Sequence, residues 1–161
     1  MSFRNAAPED LDTILAIYAR ARQVMRENGN PNQWVNGYPQ RELVEQDIQE
    51  KHLYVCEEDG QIQAVFGVFP GEDPTYREIY DGQWLNDAPY TAVHRVASAG
   101  LKKGAAGKCF DWVFAQCGNI RIDTHEDNHI MQHVLEKNGF QRCGRIFLEN
   151  GAPRIAYHRT V

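Results

Sequence analysis

Hydrophobic side chains follow two different periods along this chain, and the changes of period predict eleven helices and strands. Helical spacing predicts helices over about 7–27, 40–50, 103–117 and 128–138. Strand-like runs cover 3–5, 52–56, 61–69, 90–97, 119–124, 140–148 and 154–158, and Asn150-Gly151 predicts a tight hairpin between the last two. The order β-α-α-β-β-β-α-β-α-β-β predicts an α/β (α+β) fold in which helices flank a mixed sheet.

Length and charge narrow the class of protein. The 161 residues fit one domain, so we expect 1–161 to fold as a single unit. A net charge of −5 argues against non-specific electrostatic binding to nucleic acid or to an anionic membrane. No apolar run approaches the ~20 residues that cross a bilayer. The first residues lack an apolar signal core and the cysteines form no CxxC pair, so we expect a cytoplasmic protein with reduced thiols.

The segment SAGLKKGAAGK, between a predicted strand and a predicted helix, carries the clearest chemical signal. Small residues at such a turn let the backbone approach a ligand, and the first amides of a helix attract negative charge. Lys102, Lys103 and Lys108 add positive charge at the same place. The pattern indicates a phosphate-binding turn, although a small-residue turn that only packs a helix on a sheet has the same composition.

The element order, this turn and the later segment VLEKNGF together resemble the GNAT family of N-acetyltransferases over essentially the whole chain. The resemblance implies a mostly antiparallel central sheet and direct transfer of an acetyl group from acetyl-CoA to an amine. The family's pyrophosphate loop reads Q/R-x-x-G-x-G/A, and the matching window here is Leu101-Lys102-Lys103-Gly104-Ala105-Ala106. Gly104 and Ala106 fit this pattern, whereas Leu101 stands where the family has Gln or Arg.

The resemblance also assigns a set of cofactor-binding positions. The turn would hold the pyrophosphate through main-chain amides, the preceding strand would pair with the pantetheine arm, and the start of the next helix would contact that arm. The residues concerned are Lys102, Lys103, Gly104, Ala105, Ala106 and Gly107 in the turn, Val96, Ala97 and Ser98 in the strand, and Asn128 in the helix.

Acyl transfer to an amine needs a base, because a protonated amine is not a nucleophile. Some family members use a glutamate early in the fourth strand, but this chain has none there, and His94 is the nearest titratable residue. Asp123 and His125, at the end of the following strand, are further candidates. Many family members protonate the leaving thiolate with a tyrosine in the last helix, and Leu135 stands at that position.

His125-Glu126-x-x-His129 matches a zinc-hydrolase motif, which requires both histidines on one helix. The sequence before His125 is typical of a strand, and Glu126-Asp127-Asn128 is typical of the turn that starts the following helix. We therefore expect no metal site, and a zinc hydrolase remains the least favoured alternative.

Aromatic residues in two predicted loops are candidates for acceptor binding. Trp34 and Tyr38 lie in the loop where the family commonly binds its acceptor, and Tyr80 lies in the long connection over 70–89. The resemblance implies a small-molecule or peptide amine as acceptor, and it permits a homodimer. A non-catalytic acyl-CoA-binding module on the same fold remains an alternative, because the family's tyrosine and strand glutamate are both missing.

Overall fold

A computed structural model describes all 161 residues and contains seven strands and four helices. The strands are β1 (Ser2–Asn5), β2 (Leu53–Glu58), β3 (Gln61–Pro70), β4 (Thr91–Ser98), β5 (Asn119–Thr124), β6 (Gln141–Phe147) and β7 (Pro153–Thr160). The helices are α1 (Leu11–Glu27), α2 (Arg41–Gln49), α3 (Ala105–Cys117) and α4 (His129–Lys137). Every helix and strand expected from the sequence pattern is present, with shifts of a few residues at the ends.

Two of those shifts have local causes. A short 3-10 turn over Pro8–Asp10 precedes α1, because the Asp10 carboxylate accepts the Ala7 N–H at 2.7 Å and tightens the chain there. Helix α3 begins two residues later than the pattern predicts, because Gly104 adopts a left-handed conformation with φ of 78°. That conformation belongs to a residue flanking the helix, so the first helical residue is Ala105.

The seven strands form one sheet in the order β1-β2-β3-β4-β5-β7-β6, and all neighbours are antiparallel except β4 and β5. This confirms the expected mixed, mostly antiparallel sheet. The parallel pair is joined only at Thr91–Ile120 and Ala92–Arg121. Beyond Ala92 the two strands separate, which leaves one edge of β4 without a neighbouring strand.

Each face of the sheet is covered by one pair of helices. Residues of α3 and α4, among them Phe110 and Leu135, pack with Phe66 and Tyr157 on one face. On the other face α1 and α2 contribute Tyr18, Val44 and other residues to a second apolar cluster. No helix in the chain has the length and apolar character needed to span a membrane.

Strand β4 contains a bulge at Arg95, where φ is +55° and the pairing with β3 shifts register between Val65 and Gly67. Helix α2 fixes this bulge through Asp47, whose two carboxylate oxygens accept from the Arg95 guanidinium at 2.8 and 3.1 Å. Helix α1 fixes it through Tyr18, whose hydroxyl donates to the Arg95 carbonyl at 2.8 Å. The bulge therefore lies in the part of β4 that has already separated from β5, and it bends the strand there.

The long connection before β4 is folded onto the sheet. It contains a 3-10 turn over Pro74–Tyr76, and the backbone of Tyr80 pairs with Arg145 of β6. The Trp84 indole N–H donates to the Tyr76 carbonyl at 3.0 Å. This segment positions Asp73, Thr75 and Tyr76 beside the gap between β4 and β5.

Candidate active site

A cleft of about 890 Å³ lies where β4 and β5 separate. Its walls come from β4, β5, the loop between α1 and α2, and the turn between β6 and β7. Because the sheet is interrupted here, side chains from both of its halves reach one space. Of the three candidate catalytic residues, His94 and Asp123 line this cleft and His125 does not.

His94 lies on β4 with its imidazole Nε2 2.8 Å from Asp73 Oδ2. The second Asp73 oxygen accepts the backbone N–H and the hydroxyl of Thr75, at 2.9 and 2.7 Å. Burial raises the pKa of Asp73, but the hydrogen bonds from His94 and Thr75 outweigh it and bring the pKa to about 2. The carboxylate is therefore ionised at neutral pH and orients the imidazole. The sequence shows Asp73 only as one of several acids in a loop.

Asp123 lies at the end of β5, and the hydroxyl of Tyr76 donates to its Oδ2 at 2.6 Å. Burial, and then the Asp123 charge, raise the pKa of Tyr76 well above its usual value, so the tyrosine keeps its proton. The Tyr76 ring centroid is also 5.9 Å from that of His94. Tyr76 therefore packs between the two candidate catalytic residues.

His125 lies in the turn after β5, outside helix α4. Its Nδ1 accepts the Asp127 N–H at 3.0 Å, and its side chain is only 12% exposed. Asn128 is the N-cap of α4, with its side-chain oxygen accepting from Met131 N at 2.9 Å, and His129 is the first residue of the helix. The two histidines of the zinc-hydrolase motif are thus not on one helix, and no cluster of His, Cys, Asp or Glu in the chain could hold a metal ion.

A narrower slot of about 160 Å³ continues from the cleft between α1, β4 and α4. Five of the predicted cofactor-binding residues line it: Val96, Ala97, Ser98, Ala106 and Asn128. Val96 and Asn128 also line the cleft, so the two spaces share a wall.

The edge of β4 along the slot has unpaired backbone groups. Ala97 pairs with Val65 of β3, and the Ala99 N–H donates to Gln63 O at 2.9 Å. Because alternate residues of a strand bond to opposite sides, Val96 and Ser98 direct their N–H and C=O groups to the side away from β3. The Ser98 carbonyl accepts from Arg20, which leaves the Val96 N–H and C=O and the Ser98 N–H without a strand partner. A ligand arm in the slot can therefore hydrogen-bond to β4 as an added strand would.

Helix α3 begins at the end of this slot. Its first backbone hydrogen bond runs from the Lys108 N–H to Gly104 O at 3.1 Å, so the amides of Ala105, Ala106 and Gly107 precede it without a helical partner. Open space surrounds Gly104, whereas a Cβ on Gly107 would lie 2.7 Å from Asn138 Oδ1. Gly104 thus leaves the turn accessible, and Gly107 permits close packing of α3 on α4.

Positive charge around this turn is arranged differently from the sequence expectation. Lys102 forms ion pairs with Glu58 and Asp59, and Lys103 is exposed in the turn. Arg20 of α1, which the sequence pattern does not single out, donates from Nη1 to Ser98 O at 3.1 Å and lines the slot. No signal in the sequence connects Arg20 to the turn, because helix α2 and strands β2, β3 and β4 lie between them along the chain.

The aromatic candidates for acceptor binding are divided. Trp34 and Tyr38 line the cleft, and the Trp34 ring packs against Tyr18 at a centroid distance of 5.6 Å. Tyr80 lies at the β6 edge of the sheet, away from the cleft, where its ring packs on Phe147 at 5.3 Å. Leu135, at the position of the family's tyrosine, is fully buried and lines neither the cleft nor the slot.

Comparison with known proteins identifies the class. A solved acetyltransferase of the GNAT family from Streptococcus agalactiae 2603 is 32% identical, with a TM-score of 0.91 over 99% of this chain and 95% of that chain. A candidate acetyltransferase from Staphylococcus aureus Mu50 is 25% identical, with a TM-score of 0.72 over 99% of each chain. No family model matches the sequence, and no curated protein matches it either.

The chain belongs to the GNAT family of acetyltransferases. Its general activity class is accordingly that of an acyltransferase. The fold alone is shared with a GNAT-like decarboxylase solved in complex with isobutyryl-CoA, which is 12% identical with a TM-score of 0.66 over 99% of each chain.

Proposed function

We propose that this protein transfers an acetyl group from acetyl-CoA to a primary amine by direct attack in a ternary complex. The observation that carries the proposal is the junction of cleft and slot at the separation of β4 and β5. There the Asp73 carboxylate orients the His94 imidazole beside the open edge of β4. One side of the junction suits a thioester and the other an acceptor.

The residues present fit coenzyme A. The slot offers the Val96 N–H and C=O and the Ser98 N–H on the open edge of β4 for the pantetheine arm. A GNAT-like decarboxylase of the same fold has been solved in complex with isobutyryl-CoA. The unpartnered amides at the start of α3 suit a diphosphate, because they combine donors with the positive end of the helix dipole. Arg20 supplies a cation beside the turn, where Leu101 cannot.

His94 is the proposed proton acceptor for the amine. In the tautomer with Nε2–H donating to Asp73, Nδ1 is the basic nitrogen, and the ionised Asp73 stabilises the imidazolium that forms. The amine nitrogen bonds to the thioester carbonyl carbon, and the oxyanion is stabilised by amides on the open edge of β4. The C–S bond then breaks and the sulfur leaves with the electron pair. A thiolate needs no tyrosine donor to leave near neutral pH, which is compatible with Leu135.

The test is release of free thiol from acetyl-CoA with a panel of primary amines. We expect turnover with some amines and none without acceptor. His94→Gln should lower kcat by about 100-fold or more at pH 8.

His52→Gln is the matched control, since its imidazole bonds to Val68 O at 3.2 Å outside the cleft. It should leave turnover unchanged. If coenzyme A binds but no amine is acetylated, the alternative of a non-catalytic acyl-CoA-binding module replaces this proposal.

A further inference from the structure

Arg154 of β7 lines the acceptor cleft and is only 8% exposed. Its guanidinium donates to two neutral backbone oxygens, Pro153 O at 2.9 Å and Gln33 O at 3.3 Å, and it forms no ion pair with a carboxylate. The other arginine in the cleft, Arg95, is neutralised by Asp47. Arg154 is therefore the buried cation of the cleft that has no carboxylate in ion-pair contact.

Burial of a charge without an ion-pair partner is unfavourable, and desolvation lowers the pKa of Arg154 from its usual value although the more distant Asp123 charge opposes the change. A planar guanidinium with free donors matches a carboxylate, which can accept two parallel hydrogen bonds from it. A carboxylate brought into the cleft would thus supply what Arg154 lacks.

The position of Arg154 relative to Asp123 limits the kind of molecule that could bring a carboxylate to Arg154. Asp123 pairs with Ala156 across β5 and β7, and Arg154 is two residues from Ala156, so both charged side chains are on the same face of the sheet. Diagonal neighbours of this type are roughly 7–8 Å apart, with their Cβ atoms somewhat closer. The two groups form no salt bridge with each other, although both line the cleft.

Gln33 connects Arg154 to the cofactor side. Its carbonyl accepts from Arg154, and its side-chain Oε1 accepts from the amides of Asn30 and Asn128 at 2.9 and 2.8 Å. Asn128 lines both the cleft and the slot. The arginine is therefore held at a fixed place relative to the thioester arm.

We propose that the acceptor is a free α-amino acid, whose carboxylate is bound by Arg154 and whose amino group is received beside Asp123 and His94. A separated cation and anion on one wall are complementary to a zwitterion with its charges reversed. A lysine side chain or the N-terminus of a protein carries no carboxylate on the carbon that bears its amine, so neither offers Arg154 this pair of charges. This inference rests on the proposed acetyl transfer, and it names the acceptor class for that reaction.

The experiment measures thiol release from acetyl-CoA with the standard α-amino acids, each compared with its own amide and methyl ester. We expect at least one free acid to exceed its amide and ester by about 100-fold or more in kcat/KM, because the amide leaves the buried guanidinium without a counter-ion. Arg154→Gln should reduce this preference to within about threefold, chiefly by raising KM for the acid. Arg154→Lys should restore part of it, because it keeps the charge and loses the paired donors.

Arg142→Gln is the matched control, since Arg142 is exposed on β6 and does not line the cleft. It should preserve the preference. Amides or esters that are acetylated as well as the acids, or a preference that survives in Arg154→Gln, would overturn the amino-acid assignment and leave acetyl transfer standing. Turnover with no member of any series would overturn both. The comparison of acid with amide uses the unmodified protein, so it stands even if the arginine variants fold poorly.

Discussion

The contact between Asp73 and His94 gives a prediction whose size follows from the structure. The pKa of Asp73 falls from its ordinary 3.8 to about 2 although burial opposes the change. A difference of that size corresponds to about 2 kcal/mol in favour of the ionised carboxylate. Asp73→Asn keeps an oxygen that can accept from Thr75 but loses the charge that faces His94. We therefore expect the free energy of unfolding to fall by about 1–2 kcal/mol at pH 7.

The pH dependence has a definite sign. The pKa of Asp73 is lowered in the folded state, so its contribution to stability is complete above about pH 4 and is lost as the pH falls towards 2. Urea unfolding of the parent and Asp73→Asn should therefore give a difference in unfolding free energy that narrows below pH 4. In a His94→Gln background the cost of Asp73→Asn should be smaller, because the two residues interact directly.

Glu72→Gln is the control for a neighbouring carboxylate. Glu72 pairs with Arg77 at 2.7 Å, but both side chains are about 60% exposed, so its loss should cost less than about 0.5 kcal/mol. A loss of unfolding free energy in Asp73→Asn that is no larger than the loss in Glu72→Gln would refute the claim that His94 and Asp73 form a coupled pair. A loss that stays the same from pH 7 to 3 would refute it as well.

Three further predictions concern the cofactor side. Gly104→Glu should weaken coenzyme A binding by about 100-fold or more in calorimetry, because it places a negative side chain at the turn proposed to bind the diphosphate. Gly71→Glu is the control for backbone strain and should bind coenzyme A normally, since Gly71 also has a positive φ and open space around it. Arg20→Ala should lower the affinity for coenzyme A about fivefold at low salt and less at high salt, whereas Arg26→Ala, on the exposed side of α1, should leave it unchanged. An Arg20→Ala variant that binds coenzyme A as tightly as the parent would show that Arg20 is not part of the site. Leu135→Tyr should cost about 1–3 kcal/mol in urea unfolding without raising kcat, because Leu135 is fully buried; a faster enzyme would contradict that placement.

The helices and strands could be predicted because their signals are local. Asn150-Gly151 marks the hairpin between β6 and β7, and Gly139 follows α4 with φ of +85°, as the sequence pattern predicts. The bulge at Arg95 has no such signal. The strand pattern VHRVAS is continuous, and the positive φ depends on contacts from Asp47 and Tyr18, which are distant in sequence.

The site could be predicted only in part, for the same reason. His94 and Gly104 lie in segments with a recognisable pattern, and the structure places them beside the cleft and at the turn before α3. Asp73 and Arg154 could not be found, because their roles depend on which side chains the fold brings near them. Tyr80 is an aromatic loop residue like Trp34, but the path of its loop takes it to the β6 edge of the sheet, away from the cleft.

The cleft and the slot draw on different stretches of chain, and this has a consequence for how such proteins diversify. The hairpin of β6 and β7 contributes Leu148, Asn150, Ala152 and Arg154 to the cleft, and it contributes no residue to the slot. Replacement of this hairpin by another would therefore change one wall of the cleft and leave the lining of the slot unchanged. If the proposed function holds, recombination of a single contiguous segment could change the acceptor without changing the thioester site.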